Sequence, residues 1–231
     1  PTTKNIDCFS TKFYQASSVP VHYLKLLPEY IWSFLLSKDV AILEKIMQST
    51  EPLTNFGEVN ATSTASEADT YGLFLTSTPS SDGMKVINTG TIDRYISLWG
   101  KNELIDKGRR FLTPYLPFKR AKVNHRREAM YKKPKIIIAK MARVCEAFID
   151  VVGEYASLNT NCFYNPKKDV SLKYIGGICN SRMFMFLYDI FFGALRMSGG
   201  YYQFQAPQLR VIPLPQVKAE QQKPIILLVD K

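Results

Sequence analysis

The sequence is poor in the residues that build metal and nucleophile sites. It holds two histidines, His22 and His125, and four cysteines, Cys8, Cys145, Cys162 and Cys179, spaced 17 or more residues apart. With no Cys-x-x-Cys pair, a zinc site would need ligands from distant elements, so no metal is expected. The thiols are expected to be reduced and packed as small apolar groups, as in a cytoplasmic protein. Gly-x-Gly-x-x-Gly, a Walker loop, His-Glu-x-x-His and Gly-x-Ser-x-Gly are all missing, which leaves dinucleotide, nucleotide, zincin and α/β-hydrolase chemistry without their signatures. The Asn/Asp-Pro-Pro-Tyr motif of amino-group methyltransferases is absent too, since Tyr164-Asn165-Pro166-Lys167 has lost its second proline and its aromatic. No Asp with a later Glu-x-Lys marks a magnesium nuclease site. No catalytic residue and no cofactor are therefore expected in this chain. Long apolar runs are also lacking, because the greasiest stretch, Met183 to Leu195, is interrupted by Tyr188, Asp189 and Gly193 and falls short of the roughly 20 residues that span a bilayer. A soluble chain with no membrane partner is expected. The start, Pro-Thr-Thr-Lys-Asn-Ile-Asp, has neither Met nor a signal-peptide pattern and reads as the cut edge of a larger protein.

What the sequence does have is positive charge in one place. The 231 residues carry 30 Lys+Arg against 20 Asp+Glu, a formal charge of +10. Between Lys101 and Arg143 stand 14 basic residues and three acids, Glu103, Asp106 and Glu128, a local excess of +11, while the rest of the chain totals −1. Clustered charge makes a field that a polyanion feels at close range, so nucleic acid is the first partner implied. With 46% hydrophobic and 13% aromatic residues the chain can bury a full core as one large domain or two small ones.

The pattern along the chain is mixed, and the expected class is α+β, an antiparallel or mixed sheet with packed helices. Residues 1–50 read as an N-terminal helical segment, a linker from a missing catalytic region. Pro28 and Glu29 suit a first turn ahead of Ile31, Trp32, Phe34 and Leu35. A second helix follows, capped by Ser37 or Asp39, with Val40, Leu43 and Met47 at helical spacing. Residues 51–231 form the second unit. There Asn60 to Ala68 reads as loop, and Leu73 to Leu75 and Lys85 to Ile87 read as strands. Residues 101–133 read as a basic insertion, largely an exposed loop broken by Pro114 and Pro117, with a short helix near Lys122 to Met130. The runs Lys135 to Lys140, Ala147 to Val152 and Tyr155 to Tyr164 are separated by short breaks and imply an antiparallel meander rather than parallel pairing. Two helices follow, Leu172 to Ile178 after Ser171, and Arg182 to Met197 after Asn180-Ser181, stopped by Gly199-Gly200. Arg210 to Ile212 reads as a strand, and the tail from Ala219 as a helix.

Candidate contacts follow from residue type. Lys119, Arg120, Lys122, Arg126, Arg127, Lys132 and Lys133 are placed to neutralise phosphates, which yields affinity and salt dependence without reading sequence. Gln203 and Gln205 share one face of an extended segment and, with Tyr201, Tyr202, Thr89 and Arg94, are candidates for base or groove contacts.

From Leu172 onward the residues resemble a known family. Tyr174-Ile175-Gly176-Gly177-Ile178-Cys179-Asn180-Ser181-Arg182, a hydrophobic helix, Gly199-Gly200-Tyr201-Tyr202-Gln203-Phe204 and Leu209-Arg210-Val211-Ile212-Pro213-Leu214-Pro215 together resemble the TaqI-like C-terminal specificity domain. Lys133 to Ile138, Val86 to Tyr95 and the tail from Glu220 look like the family's preceding strand, the step into it and its closing helix. The resemblance implies a target-recognition domain that reads double-stranded DNA for an adenine-N6 DNA methyltransferase, often fused with a nuclease in bacterial, cytoplasmic type IIG restriction–modification enzymes. The catalytic region of the same polypeptide would bind S-adenosylmethionine and act on the flipped adenine. The alternative is a basic protein-interaction module docking on an acidic surface of its parent chain.

Overall fold

The computed structural model describes residues 5–10, 15–20 and 40–231. At the N-terminus, strands β1 (Asn5–Ser10) and β2 (Gln15–Pro20) pair antiparallel, where the sequence reading expected helix. The helix expected around Pro28 to Leu35 and the Ser37 and Asp39 caps lie outside the described residues. Helix α1 (Val40–Met47) forms as its apolar spacing requires. Its Leu43 is fully buried in the main core, so the segment assigned to a linker packs against the second unit.

The centre is a four-stranded antiparallel sheet of β4 (Glu58–Ala61), β11 (Lys135–Ala139), β13 (Ala147–Asp150) and β15 (Thr160–Tyr164) in the order β13-β11-β15-β4. All five residues of β11 and of β15 are buried, because both faces are covered and period-2 alternation sends neighbours to different cores. Ile136, Ile138 and Phe163 enter the main core, Cys162 and Tyr164 a second cluster, and Ile137 a small third one.

One face carries the helices. α5 (Leu172–Cys179) packs there with Gly176 against Ile149, and its Gly177 meets Ile225 of α8 (Ala219–Val229). α6 (Arg182–Phe192) buries Phe184, Leu187, Tyr188, Ile190, Phe191 and Phe192. It ends at Phe192, earlier than the sequence suggested, because 3-10 turns replace its last expected turns. Ser181 caps α6 by accepting the Phe184 N–H at 3.1 Å. The expected cap Ser171 makes no side-chain cap, and its own N–H donates to Gln222 Oε1 at 3.0 Å instead. α7 (Ala206–Val211) occupies the stretch read as a strand, with Pro207 in its first turn. It leads into β17 (Pro213–Pro215), which pairs with β3 (Thr50–Pro52), a short ribbon able to hold prolines.

The other face carries a three-stranded sheet, β10 (Tyr115–Pro117), β5 (Gly83–Asn88) and β14 (Tyr155–Leu158), in the order β10-β5-β14. β14 runs parallel to β5, correcting the antiparallel pairing expected for the first half of the Tyr155 to Tyr164 run, since the long connection between the two strands permits the crossover. The third run of the meander is broken at Asn159, whose φ of 55° lets the chain leave one sheet and enter the other. A hydroxyl knot seals this junction. Thr160 Oγ1 lies 2.8 Å from Thr62 Oγ1 and 2.5 Å from Ser157 Oγ, all buried.

Three further readings change. Asn60 to Ala68 is loop only at Thr62 to Thr64, since its ends supply the last residues of β4 and the start of α2 (Ala65–Gly72), which Thr64 and Glu67 close with a capping box. Leu73 to Leu75 leaves that helix as turn and not strand. The basic insertion is not a projecting loop. It folds as the ribbon β8 (Leu104–Asp106) and β9 (Arg109–Phe111), then β10, α3 (Phe118–Ala121) and α4 (His125–Tyr131), and it buries Leu104, Leu116, Phe118, Met130 and Tyr131. The mixed α+β class holds. Among the described residues, no single helix is long and apolar enough to cross a membrane.

Candidate nucleic-acid interface

Strand register brings the expected base-contact residues to one end of the molecule. Ala61, Asn161, Ile138 and Ala147 lie in one row across the central sheet. At that end the Thr89 hydroxyl donates to Asn159 O at 2.8 Å and accepts from the Lys140 N–H at 3.1 Å. A tight ribbon, β6 (Ile92–Asp93) and β7 (Ile96–Ser97), carries exposed Arg94 and is pinned when the Tyr95 N–H donates to Ala147 O at 3.0 Å. β16 (Tyr202–Gln203) pairs with β12 (Met141–Ala142), and the Phe204 N–H reaches Lys140 O at 2.9 Å. Thr89, Arg94 and Tyr201 to Gln205 thus converge from two distant parts of the chain.

Their roles differ. Thr89 is spent on bridging the two sheets. Tyr202 is buried and donates to Asp189 Oδ1 at 2.5 Å, beneath the Arg196 guanidinium 4.5 Å from its ring centre. Burial, with the acceptor Asp189 beside it, pushes the Tyr202 phenol up to about 12, so it stays a neutral donor. Tyr201 is exposed, with Arg143 5.3 Å above its ring. Gln203 and Gln205 are half-buried neighbours, the Gln205 amide donating to Gln203 Oε1 at 3.3 Å.

Beside these residues lies a concavity of about 430 Å³ whose lining includes Arg94, Arg143, Arg182, Arg196, Ser181 and Tyr202. Asn180 anchors its floor, where the side chain accepts from the Ala147 N–H at 2.9 Å and donates to Ala147 O at 2.8 Å, fixing the start of α6 to β13. Arg143, Arg182 and Arg196 were not among the residues expected from sequence. They stand in three separate segments, and only the strand pairing of Met141 with Gln203 and the Asn180 clamp bring them together. The Asn180-Ser181-Arg182 helix start was their one visible signal.

The residues expected at phosphates are dispersed. Pro117 pairs with Gly83 and Tyr155 with Lys85, at the opposite end of the sheets from Thr89. Lys119, exposed, donates its backbone N–H there to Asp82 Oδ2 at 2.8 Å, with Arg120 next to it 6.0 Å from the Phe74 ring and Lys122 two residues on. Lys133 bonds Asn165 Oδ1 at 2.9 Å and Lys132 pairs with Glu128 at 2.5 Å, also toward that end. Arg127 is not a free cation. It grips Glu67 at 2.8 Å and donates to Ala61 O at 2.7 Å. Burial opposes ionisation of Glu67, but the bonds from Arg127 and the Thr64 N–H prevail and hold its carboxyl down to about 2. Arg126 is exposed and lines a separate concavity with Asn60, Tyr164 and Arg210. Within the insertion Lys107, Arg109 and Arg110 also meet Asp69, Asp106 and Glu103. Lys107, Arg127 and Lys135 of the segment thus meet acids from outside it, Asp69, Glu67 and Asp150, while Arg109, Arg110 and Lys132 meet its own three acids.

Cys145, Cys162 and Cys179 are free and buried, and burial pushes the last two thiols up to about 12, far from nucleophilic character. Glu146 is the unusual acid of this region. Burial first, and the charge of Asp93 second, push its carboxyl up to about 7 against the pull of Arg94. Its folded value lies above the ordinary one of 4.5, so its stabilising contribution is full below that pH and lost as pH rises through 7. Glu146→Gln is expected to stabilise the fold by about 1 kcal/mol at pH 8, a value reduced for solvent screening at this half-exposed site, and by nothing near pH 4.5. Urea midpoints at the two pH values measure this, and equal differences at both would remove the assignment.

Residues 87–214 match the TaqI-like C-terminal specificity domain, more than half of the chain, and the protein belongs to that family. Membership makes it a specificity domain, not a catalytic one, of the kind that serves DNA sequence recognition in restriction–modification enzymes. The match begins at Ile87, just before the Thr89 junction, and ends at Leu214 in β17, so it spans every element that builds the arginine-lined concavity. Curated proteins include no match to the chain.

Proposed function

We propose that this chain is the non-catalytic, sequence-specific duplex-DNA recognition domain of a larger adenine-N6 DNA methyltransferase of the type IIG restriction–modification kind, working in the bacterial cytoplasm. The observation that carries the reading is the convergence, within the matched segment, of exposed Arg94 and Tyr201 with the amides of Gln203 and Gln205 at one end of the central sheet. Glutamine presents a donor and an acceptor in the fixed geometry that an adenine edge requires in the major groove. In the parent enzyme this end would face the duplex, and the catalytic region of the same polypeptide would bind S-adenosylmethionine and methylate the flipped adenine. Selection from a randomised duplex pool at low salt is expected to enrich one short motif, with affinity falling steeply as salt rises. Absence of binding to any duplex at low salt would reject this reading in favour of a basic module that docks on an acidic protein surface.

A further inference from the structure

The concavity at the start of α6 gathers four guanidinium groups from four places, the β6–β7 ribbon, the β12–β13 turn, the first residue of α6 and the turn after it. Among the described residues only Arg196 closes a salt bridge, with Asp189 at 2.5 Å, while Asp93 and Glu146 lie near Arg94. Arg94, Arg143 and Arg182 are exposed and have no salt bridge among the described residues. Bringing like charges around one recess costs energy unless an anion offsets it. Several guanidinium forks facing one space is the arrangement that holds phosphate bidentately. Tyr201, stacked under Arg143, keeps that guanidinium oriented while adding an aromatic surface beside the recess.

The lysine-rich insertion presents a different picture. There Lys107, Arg109, Arg110, Arg127 and Lys132 are matched by acids and Lys133 by an amide, and Lys119, Lys122, Lys132 and Lys133 lie toward the opposite end of the sheets from the base-contact candidates. Charge already satisfied in the folded protein releases fewer counterions on binding. We infer that the arginine-lined concavity seats the phosphodiester backbone of the DNA, and that it, rather than the Lys119 to Lys133 segment, sets the salt dependence of binding. This rests on the DNA-recognition reading above.

The test compares two multiple variants with the wild-type chain on a duplex of about 20 base pairs between about 50 and 200 mM salt. Arg94→Gln, Arg143→Gln and Arg182→Gln combined are expected to weaken binding at least about tenfold at the lower salt and to flatten the plot of log K against log salt by about 2 to 3, near 0.9 per phosphate contact. Lys119→Gln, Lys122→Gln, Lys132→Gln and Lys133→Gln combined are expected to change that slope by less than about 1. The Arg→Lys version of the first set keeps three positive charges and is expected to restore the slope, which separates lost charge from lost fold. If the wild type binds and the arginine variant keeps its slope while the lysine variant loses it, the concavity is not the phosphate seat, although the protein still recognises DNA. If the wild type binds no duplex, the recognition reading fails and this inference fails with it.

Discussion

Asp150→Ala is expected to cost about 3–5 kcal/mol of folding stability, the penalty for stripping one partner from a buried ion pair. Lys135 and Asp150 are paired across β11 and β13 at 2.5 Å with essentially no solvent exposure of either side chain. The three ammonium protons have three acceptors, Asp150 Oδ2, Tyr131 O at 2.6 Å and Lys133 O at 3.3 Å. The carboxylate in turn accepts the N–H groups of Gly153 at 2.9 Å, Glu154 at 3.1 Å and Tyr155 at 3.1 Å. Burial lowers the Lys135 pKa, and Asp150 opposes that drop. Removing the carboxylate strands a buried ammonium and orphans three backbone donors at once. Adding Lys135→Met should therefore recover only part of the loss, because the donors remain unpaired. By contrast, Glu128→Ala breaks the exposed Lys132 pair and is expected to cost less than about 1 kcal/mol. Urea denaturation of the three variants beside the wild type decides it. A loss for Asp150→Ala no larger than for Glu128→Ala would show that water reaches the pair.

Periodicity made much of the central architecture readable. The Ile136-Ile137-Ile138 run, the Ala147 strand and the helix after Ser181 each contain enough apolar residues to declare their element and its core. What failed to show was pairing at long range. The parallel β5–β14 contact depends on a crossover through the insertion, and no local pattern records it. The insertion itself looked like loop because its buried residues, Leu104, Leu116, Phe118, Met130 and Tyr131, are interspersed with cations and prolines and never settle into one period. Arg210 to Ile212 was misread as a strand because β-branched neighbours outweighed the Pro207 helix-start signal.

The candidate site was legible in part for the same reason. Arg94, Tyr201, Gln203 and Gln205 could be chosen by chemistry, and the register gathers them. The phosphate set was chosen by charge density alone, which counts cations without their partners. Arg127 belongs to Glu67, and Lys132 to Glu128, through contacts set up by α2 and by one helical turn. Arg143, Arg182 and Arg196 stood singly in sequence and became a cluster only through tertiary contacts. Local density overstates a basic run and understates a site assembled from single residues.

Gly153→Ala is expected to cost more than about 3 kcal/mol, or to prevent folding, because two penalties fall on one atom. Gly153 has a φ of 75°, a region costly for any residue with a Cβ. That Cβ would also lie 2.2 Å from Lys132 O and 2.6 Å from Lys132 C, both backbone atoms with no rotamer to change. Relief requires moving the end of α4 or the Asp150 turn. Either shift strains the Gly153 N–H bond to Asp150 and the Lys133 carbonyl that receives the Lys135 ammonium. Gly108→Ala supplies the comparison. Its φ is 83°, yet nothing lies within 4 Å of the added Cβ, so it should cost only about 1 kcal/mol of backbone strain. If the two variants lose the same stability, the close approach of Lys132 is soft and the backbone conformation alone sets the cost. If Gly153→Ala loses several-fold more, the turn after β13 is locked against the basic insertion. That would make the insertion part of the scaffold that carries the arginine-lined end of the sheet.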